Sequence, residues 1–165
     1  MKQLIMMVTL GLALLAGSGC SKDDKAVNGS GGGTFIATID GVSFKGDMGA
    51  SAPETNRGGA KLIIPGGIGK FRGNVTIVGL GLLDATTTTY VLNGSNQWRS
   101  GGVTIEDTGD EYSTNNPGSS GSVTISSYTS DRITGTFEFV AYANNGLTSL
   151  VVTDGQFDVP IIRTK

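Results

Sequence analysis

The segment from Asp131 to Arg163 constrains the fold more than any other part of the chain, because it holds the densest aromatic and aliphatic alternation of the sequence, above all from Arg132 to Ala143. Ile133, Phe137 and Phe139 fall on one face, and polar residues such as Glu138 fall on the other. A period of two places one face on a core and the other towards solvent, as in an antiparallel sheet with one buried side. The segment therefore predicts β-strands rather than helices.

Two turn signals divide this segment into three predicted strands. Asn144-Asn145-Gly146 and Asp154-Gly155 contain residues that tolerate the positive φ angles of tight hairpin turns. The last predicted strand, from Gln156 to Arg163, contains Pro160, which has no backbone N–H to donate. This proline predicts that the final strand is an edge strand or is bulged at Pro160.

Short strand-like runs separated by turn residues also fill the chain before Asp131. The chain has 27 glycines, and Asp40-Gly41 marks a further hairpin. Met48–Gly59 is predicted to be a loop, and Gly79-Leu80-Gly81 is predicted to end a strand that buries Val75 and Ile77 with Phe71. The other predicted strands lie at Ala60–Ile64, Phe71–Leu80, Thr86–Leu92, Gly102–Glu106, around Tyr112 and at Ser122–Tyr128. The sequence thus predicts an all-β domain, an antiparallel β-sandwich or flattened barrel of about nine or ten strands.

Residues 1–19 have the proportions of a signal peptide. Lys2 gives a positively charged start, and Leu4 to Ala16 is a continuous apolar run. This run is shorter than the roughly 20 residues that a membrane-spanning helix needs. We therefore expect residues 1–19 to be a targeting segment and not part of the folded domain.

The end of this segment, Gly17-Ser18-Gly19-Cys20, resembles the lipobox of bacterial lipoproteins. The resemblance implies that the leader is cut before Cys20 and that acyl chains anchor Cys20 in a membrane. Gly17 departs from the pattern, since an aliphatic residue usually stands there in that family. The alternative is an ordinary signal peptide with an incidental cysteine.

Lys22, Asp23 and Asp24, which Ser21 separates from Cys20, resemble the export signal of surface-displayed lipoproteins of the Bacteroidota type. This resemblance implies a position on the outer leaflet of the outer membrane, facing the medium. The alternative is a charged tether that faces the periplasm.

Residues 20–33, which end in a Gly/Ser-rich run, are predicted to be a flexible tether, and residues 34–165 are predicted to be a single domain.

Several motifs of the domain resemble a family of small Bacteroidota-type lipoproteins of unknown function. They are the opening run FIATIDGVSF, the strand Gly121 to Ile125, the run RITGTFEF and the closing run TDGQFDV. The resemblance covers most of Thr34 to Ile162. Its motifs consist of turn glycines and core aromatics, so it implies a fold and supplies no catalytic residue.

The composition excludes several kinds of chemistry. The chain has no histidine and a single cysteine, which excludes Ser-His-Asp and Cys-His catalysis and intrachain disulfides. It has 12 basic and 14 acidic side chains and no basic patch, so nucleic acid is not an expected partner. No cofactor is expected either.

Two groups of residues are candidates for a site. Glu106, Asp107, Asp110 and Glu111 could hold a hard cation or serve as paired carboxylates, although a solvated polar loop explains them as well. Trp98 lies in a polar segment beside Arg99, where an indole ring and a guanidinium group could form a ligand face. The alternative is that Trp98 folds back to cap an open end of the domain.

These observations lead to one hypothesis and one alternative. We expect a lipid-anchored outer-membrane protein of the cell surface, without enzymatic activity, whose domain binds a glycan or protein or has a structural role. The alternative is a carboxylate-dependent hydrolase that acts on polysaccharide.

Overall fold

The computed structural model describes residues 32–57, 59–94 and 98–163, and these residues contain twelve β-strands and no helix. The all-β prediction is therefore confirmed, with more strands than expected. The strands are β1 (Thr34–Ile39), β2 (Val42–Lys45), β3 (Gly49–Arg57), β4 (Ala60–Ile63), β5 (Gly66–Phe71), β6 (Asn74–Leu83), β7 (Thr89–Val91), β8 (Arg99–Ile105), β9 (Asp110–Ser113), β10 (Ser120–Tyr128), β11 (Arg132–Ala143) and β12 (Ser149–Arg163). Within the described residues there is no helix of the length and apolarity required to cross a membrane.

The strand pairings close into a ring, as in a flattened barrel. The ring runs β12–β3–β4–β6–β8–β9–β11 and returns to β12. β5 bridges β3 and β6, β1 and β2 extend from β12, and β10 and β7 extend from β11. The pairing of β12 with β3, in which Ile161 lies opposite Ala52, is parallel, and the other pairings of the described strands are antiparallel.

Aromatic rings fill the centre of the core. The ring of Phe137 lies 5.0 Å from that of Phe35, 6.1 Å from Phe139 and 6.2 Å from Phe157, centroid to centroid. All four side chains are buried, which confirms the core face predicted for Phe137 and Phe139. Each fully buried phenylalanine contributes about 1.5–3 kcal/mol to folding.

Glycines on neighbouring strands make room for these rings. A Cβ atom on Gly155 would lie 2.6 Å from the Phe137 ring, and one on Gly101 would lie 2.7 Å from the Phe139 ring. The rings therefore pack directly on bare backbone, which explains part of the high glycine content.

Asp154-Gly155 forms a bulge, so the prediction of a third hairpin strand is wrong. β12 continues through this dipeptide, and its pairing with both β1 and β11 shifts there by one residue. Asp154 has a φ of 53°, which supplies the local kink. Because the bulge adds a residue, the buried positions change from Leu150 and Val152 to Phe157 and Val159, and apolar side chains stay on the core side throughout.

Pro160 does not mark an edge strand, because β12 pairs with β11 on one side and with β1 and then β3 on the other. The Ile161 N–H donates to the carbonyl of Asp131, so the nitrogen of Pro160 faces the opposite side. On that side the neighbour changes from β1, whose last pair is Thr34 with Asp158, to β3. The proline thus occupies a position where no ladder hydrogen bond is lost.

The face predicted for β6 is also wrong. The buried positions are Thr76, Val78, Leu80 and Leu82. Val75 and Ile77, which were expected to be inward, are partly exposed. Arg72 and Gly73 have φ angles of 51° and 87° and form a tight turn that pairs Phe71 with Asn74. Cross-strand partners share a face, so the alternation changes parity at this turn.

Two strands occupy segments that were predicted to be loop or turn. β3 replaces most of the predicted Met48–Gly59 loop, and its core contacts come from the small side chains of Ala50 and Ala52. β5 begins at Gly66, in the segment between the predicted strands Ala60–Ile64 and Phe71–Leu80. A Cβ on Gly67 would lie 3.0 Å from the Cβ of Phe35, so glycine allows β5 to pack closely against β1.

Candidate functional site

An open groove of about 350 Å³ lies on the outer face of β6 and β8. Its floor is made of backbone, because outward positions on these strands carry glycine. Gly79 pairs with Gly102 across the two strands, and Gly81 pairs with Ser100. The side chains between them, such as Leu80, point into the core.

Gly79 and Gly81 of this floor are not required by the internal packing, whereas a Cβ on Gly102 would approach the carbonyl oxygen of Tyr112 at 3.3 Å. A Cβ on Gly79 would approach no atom closer than the Ile64 Cγ2 at 3.9 Å, which is an ordinary van der Waals contact. A Cβ on Gly81 would approach the Ser100 hydroxyl at 3.0 Å, and that hydroxyl is at the end of a side chain. A glycine inside a strand weakens the strand and often marks close approach of a ligand or another backbone.

The groove walls, as far as the structure describes their residues, combine apolar and hydroxyl side chains, and none of these is charged. Leu62, Ile64 and Ile77 supply apolar contacts, and the partly exposed indole of Trp98 lines the same groove. Hydroxyl groups come from Ser100, Thr104 and Ser113. Each of four other surface depressions includes at least one of the charged side chains Lys45, Asp47, Lys70, Glu138 and Asp154.

Trp98 and Arg99 do not share a face, although the sequence suggested that they could form one ligand surface. Trp98 lines the outer groove. The guanidinium carbon of Arg99 lies 4.7 Å from the centroid of the buried Tyr90 ring, which is a cation–π contact. Consecutive residues of an extended chain point to opposite sides, so Trp98 faces the outer groove and Arg99 packs against Tyr90.

Residues 33–160 match the family described as Domain of unknown function (DUF6252). The chain belongs to this family. Comparison with curated proteins gave no match, and comparison with solved structures gave none either. Any function of the DUF6252 domain must therefore be argued from its surface.

A second depression of the DUF6252 domain, of about 370 Å³, lies on the outer faces of β10, β11 and β12. It contains the carboxylates of Glu138 and Asp154, together with Gln156 and the hydroxyls of Thr124 and Thr136. Asp154 reaches this position because it forms the bulge of β12. Sequence reasoning considered Glu138 and Asp154 separately and did not predict that they line one depression.

The acidic run of the sequence forms the turn between β8 and β9. The Asp107 carboxylate accepts a hydrogen bond of 2.8 Å from the N–H of Val75, and the Asp110 carboxylate accepts one of 2.7 Å from the Thr108 hydroxyl. Glu106 and Glu111 are exposed. In the described ranges, no three His, Cys, Asp or Glu side chains come together in a way that could hold a metal ion.

An ion cluster joins the end of β12 to β3. Arg163 donates from Nε to the Glu54 carboxylate at 3.0 Å, the Tyr128 hydroxyl donates to it at 3.3 Å, and the Lys61 ammonium lies 3.7 Å away. The hydrogen bond from Arg163 holds the pKa of Glu54 below its usual value of 4.5. Burial, and then the negative charge of Glu54, raises the pKa of Tyr128 above its usual 10.0.

This cluster makes the free energy of unfolding of the domain depend on pH. Because the folded-state pKa of Glu54 is lowered, its contribution to stability is present above the unfolded-state value near 4.5 and is lost as the pH falls through the folded-state pKa. We expect the stability advantage of the wild type over Glu54→Gln to shrink as the pH is lowered through and below 4.5. Urea unfolding of both proteins across this range measures it, and a difference that is constant with pH would contradict the assignment.

The predicted anchor and export residues, Cys20 and Lys22, Asp23 and Asp24, lie outside the described residues. They stay predictions from the sequence. Among the residues that the structure does describe, Trp98 is the predicted site residue that lines a groove. The glycine floor was missed because Gly79-Leu80-Gly81 was interpreted as a strand end. The alternation of Val78, Leu80 and Leu82 with glycine was the signal that could have identified a strand with a bare outer face.

Proposed function

We propose that this DUF6252 chain is a lipid-anchored protein of the outer membrane, displayed at the cell surface, whose β-domain is a binding module without catalytic activity. The groove of Trp98 and Gly79 is the observation that carries the proposal. It is the place where the surface has glycines that the packing does not need and an aromatic ring that a ligand can contact. Ligand grooves typically combine aromatic and apolar walls with a few polar groups in this way.

The anchoring part of the proposal is supported by the sequence of the leader. Cys20 follows an apolar run and small residues, and it is the chain's single cysteine. Lys22, Asp23 and Asp24 support display on the outer leaflet. Several acyl chains hold a protein stably on a membrane, where one chain gives marginal binding.

Binding by the purified mature lipoprotein tests the module role. A detergent without a sugar head group keeps the protein in solution and does not compete for a glycan site. We expect glycan arrays or purified envelope fractions to retain the wild type and to bind Trp98→Ala about tenfold more weakly, since ring stacking contributes about 1 kcal/mol or more. Equal retention of the two proteins, or retention of neither, would refute the groove as the binding surface.

A hydrolase that acts on polysaccharide is the alternative function, and one observation favours it. Glu138 and Asp154 line the same depression, and hydrolysis of glycosides uses two carboxyl groups on either side of the bond. Incubation with polysaccharides and measurement of new reducing ends distinguishes the two functions. Release that disappears in Glu138→Gln would support the hydrolase, and binding without release would support the module.

A further inference from the structure

We infer that the ligand of the Trp98 groove is an uncharged saccharide whose pyranose ring stacks on the indole above the glycine floor. This inference rests on the proposed function and specifies its ligand. It depends on three features of the groove: its lack of charge, its mixture of apolar and hydroxyl groups, and glycines that the fold can spare.

The absence of charge selects the class of ligand. None of the described residues that line the groove is charged, whereas each of four other depressions includes a carboxylate or an ammonium group. A charged ligand would lose its hydration in this groove and gain no counter-ion. The groove therefore favours a neutral ligand.

The mixture of wall groups distinguishes a sugar from a purely apolar ligand. A hydrocarbon or an apolar peptide would dehydrate the hydroxyls of Ser100 and Thr104 without offering them a hydrogen bond. A pyranose has C–H groups on one face, which pack on an indole, and hydroxyls around its edge. The C–H groups can pack on the indole of Trp98, and the hydroxyls can form hydrogen bonds with Ser100 and Thr104 on the outer face of β8.

The glycine floor provides the clearance that a flat ring needs. Gly79 has room for a Cβ at van der Waals distance from its neighbours, so a side chain there would project into the groove and not into the core. Glycine at this position lowers the stability of β6 and gives no packing advantage. A ligand that lies against the backbone accounts for it.

The single tryptophan of the chain makes the test direct, because all tryptophan emission comes from Trp98. We expect cellohexaose or mannohexaose to change the emission of the mature lipoprotein in a saturable way, and we expect polygalacturonate, which is charged, to have no effect. No response to any neutral hexasaccharide tested, or a stronger response to polygalacturonate, would overturn the inference.

Substitutions at the floor separate the ligand from the fold. Gly79→Ala and Gly79→Val should weaken saccharide binding progressively, about tenfold or more for valine, while the melting temperature stays the same or rises. Gly49→Ala is the matched control, since a Cβ on Gly49 would contact the Ile68 Cδ1 at 4.0 Å, away from the groove, and its binding should equal that of the wild type. Unchanged binding by Gly79→Val would overturn the inference.

The two proposals fail in different ways. If envelope fractions bind in a Trp98-dependent way but neutral saccharides do not, the saccharide inference is wrong and the binding module remains. If binding to envelope fractions is the same in wild type and Trp98→Ala, the groove has no such role and both proposals are wrong.

Discussion

Replacing Gly135 by alanine is expected to lower the free energy of unfolding by about 3 kcal/mol, at the upper end of the cost of overpacking a core. The added methyl would lie 2.7 Å from the ring of Phe157 and would overlap the carbonyl oxygen of Thr124 on β10. Phe157 is buried in the aromatic cluster, and backbone lies on the other side, so neither neighbour can move without disturbing the sheet.

Equilibrium unfolding in urea measures this effect, with the midpoint and slope determined for each variant. Gly49→Ala is again the control, because its added methyl makes one contact at 4.0 Å and should change stability little. The double variant Gly135→Ala with Phe157→Leu should lose less stability than the sum of the two single losses, since a smaller side chain relieves the overlap with the ring. If Gly135→Ala were as stable as Gly49→Ala, the close packing of ring on backbone would be wrong.

Replacing Cys20 by alanine is expected to abolish membrane anchoring through lipid. Cys20 is the single thiol of the chain, so no other cysteine can accept an acyl group. We expect the variant to incorporate no labelled palmitate and to accumulate as a precursor that retains residues 1–19. Gel mobility and label incorporation measure both effects.

Variants of the residues behind Cys20 provide the control for this experiment. Replacing Lys22, Asp23 and Asp24 together by alanine should leave acylation intact and protect the protein from protease added to whole cells. A Cys20→Ala protein that is processed normally and stays in the membrane fraction would refute lipidation. Undiminished proteolysis of the triple variant would refute the export signal.

The fold class was predictable because it depends on local alternation. The core face of β11, with Ile133, Phe137 and Phe139, follows from period-two spacing alone, and the hairpin at Asp40-Gly41 follows from turn chemistry. Both signals require information only from residues adjacent in sequence. They were therefore interpreted correctly without knowledge of the tertiary structure.

The elements that were missed depend on distant neighbours. Asp154-Gly155 has the residues of a hairpin turn and becomes a bulge, because β1 and β11 continue on both sides of it. The glycines of β5 and β6 indicate turns by propensity, yet backbone pairing with neighbouring strands keeps them extended. Tertiary context overrides local preference at these positions.

One residue of the candidate site was predictable from the sequence. Trp98 was predicted to be a site residue because no alternating core pattern includes it, and this residue lines the groove. The rest of the groove comes from β4, β6 and β8, and its shape results from the absence of side chains at Gly79 and Gly81. Whether a glycine marks a turn or the floor of a groove depends on its neighbours in space, and these neighbours are not known from the sequence.

The position of β12 has a consequence for the order in which the sheet can be completed. This strand is 15 residues long and is the last element of the described chain. It pairs with β1, the first described strand, as well as with β3 and β11. β1 otherwise pairs with β2 alone, so it gains its second partner after β12 has been made. Hairpins such as β1–β2 and β5–β6 can form early, and closure of the sheet is expected to wait for the long-range pairing of β12.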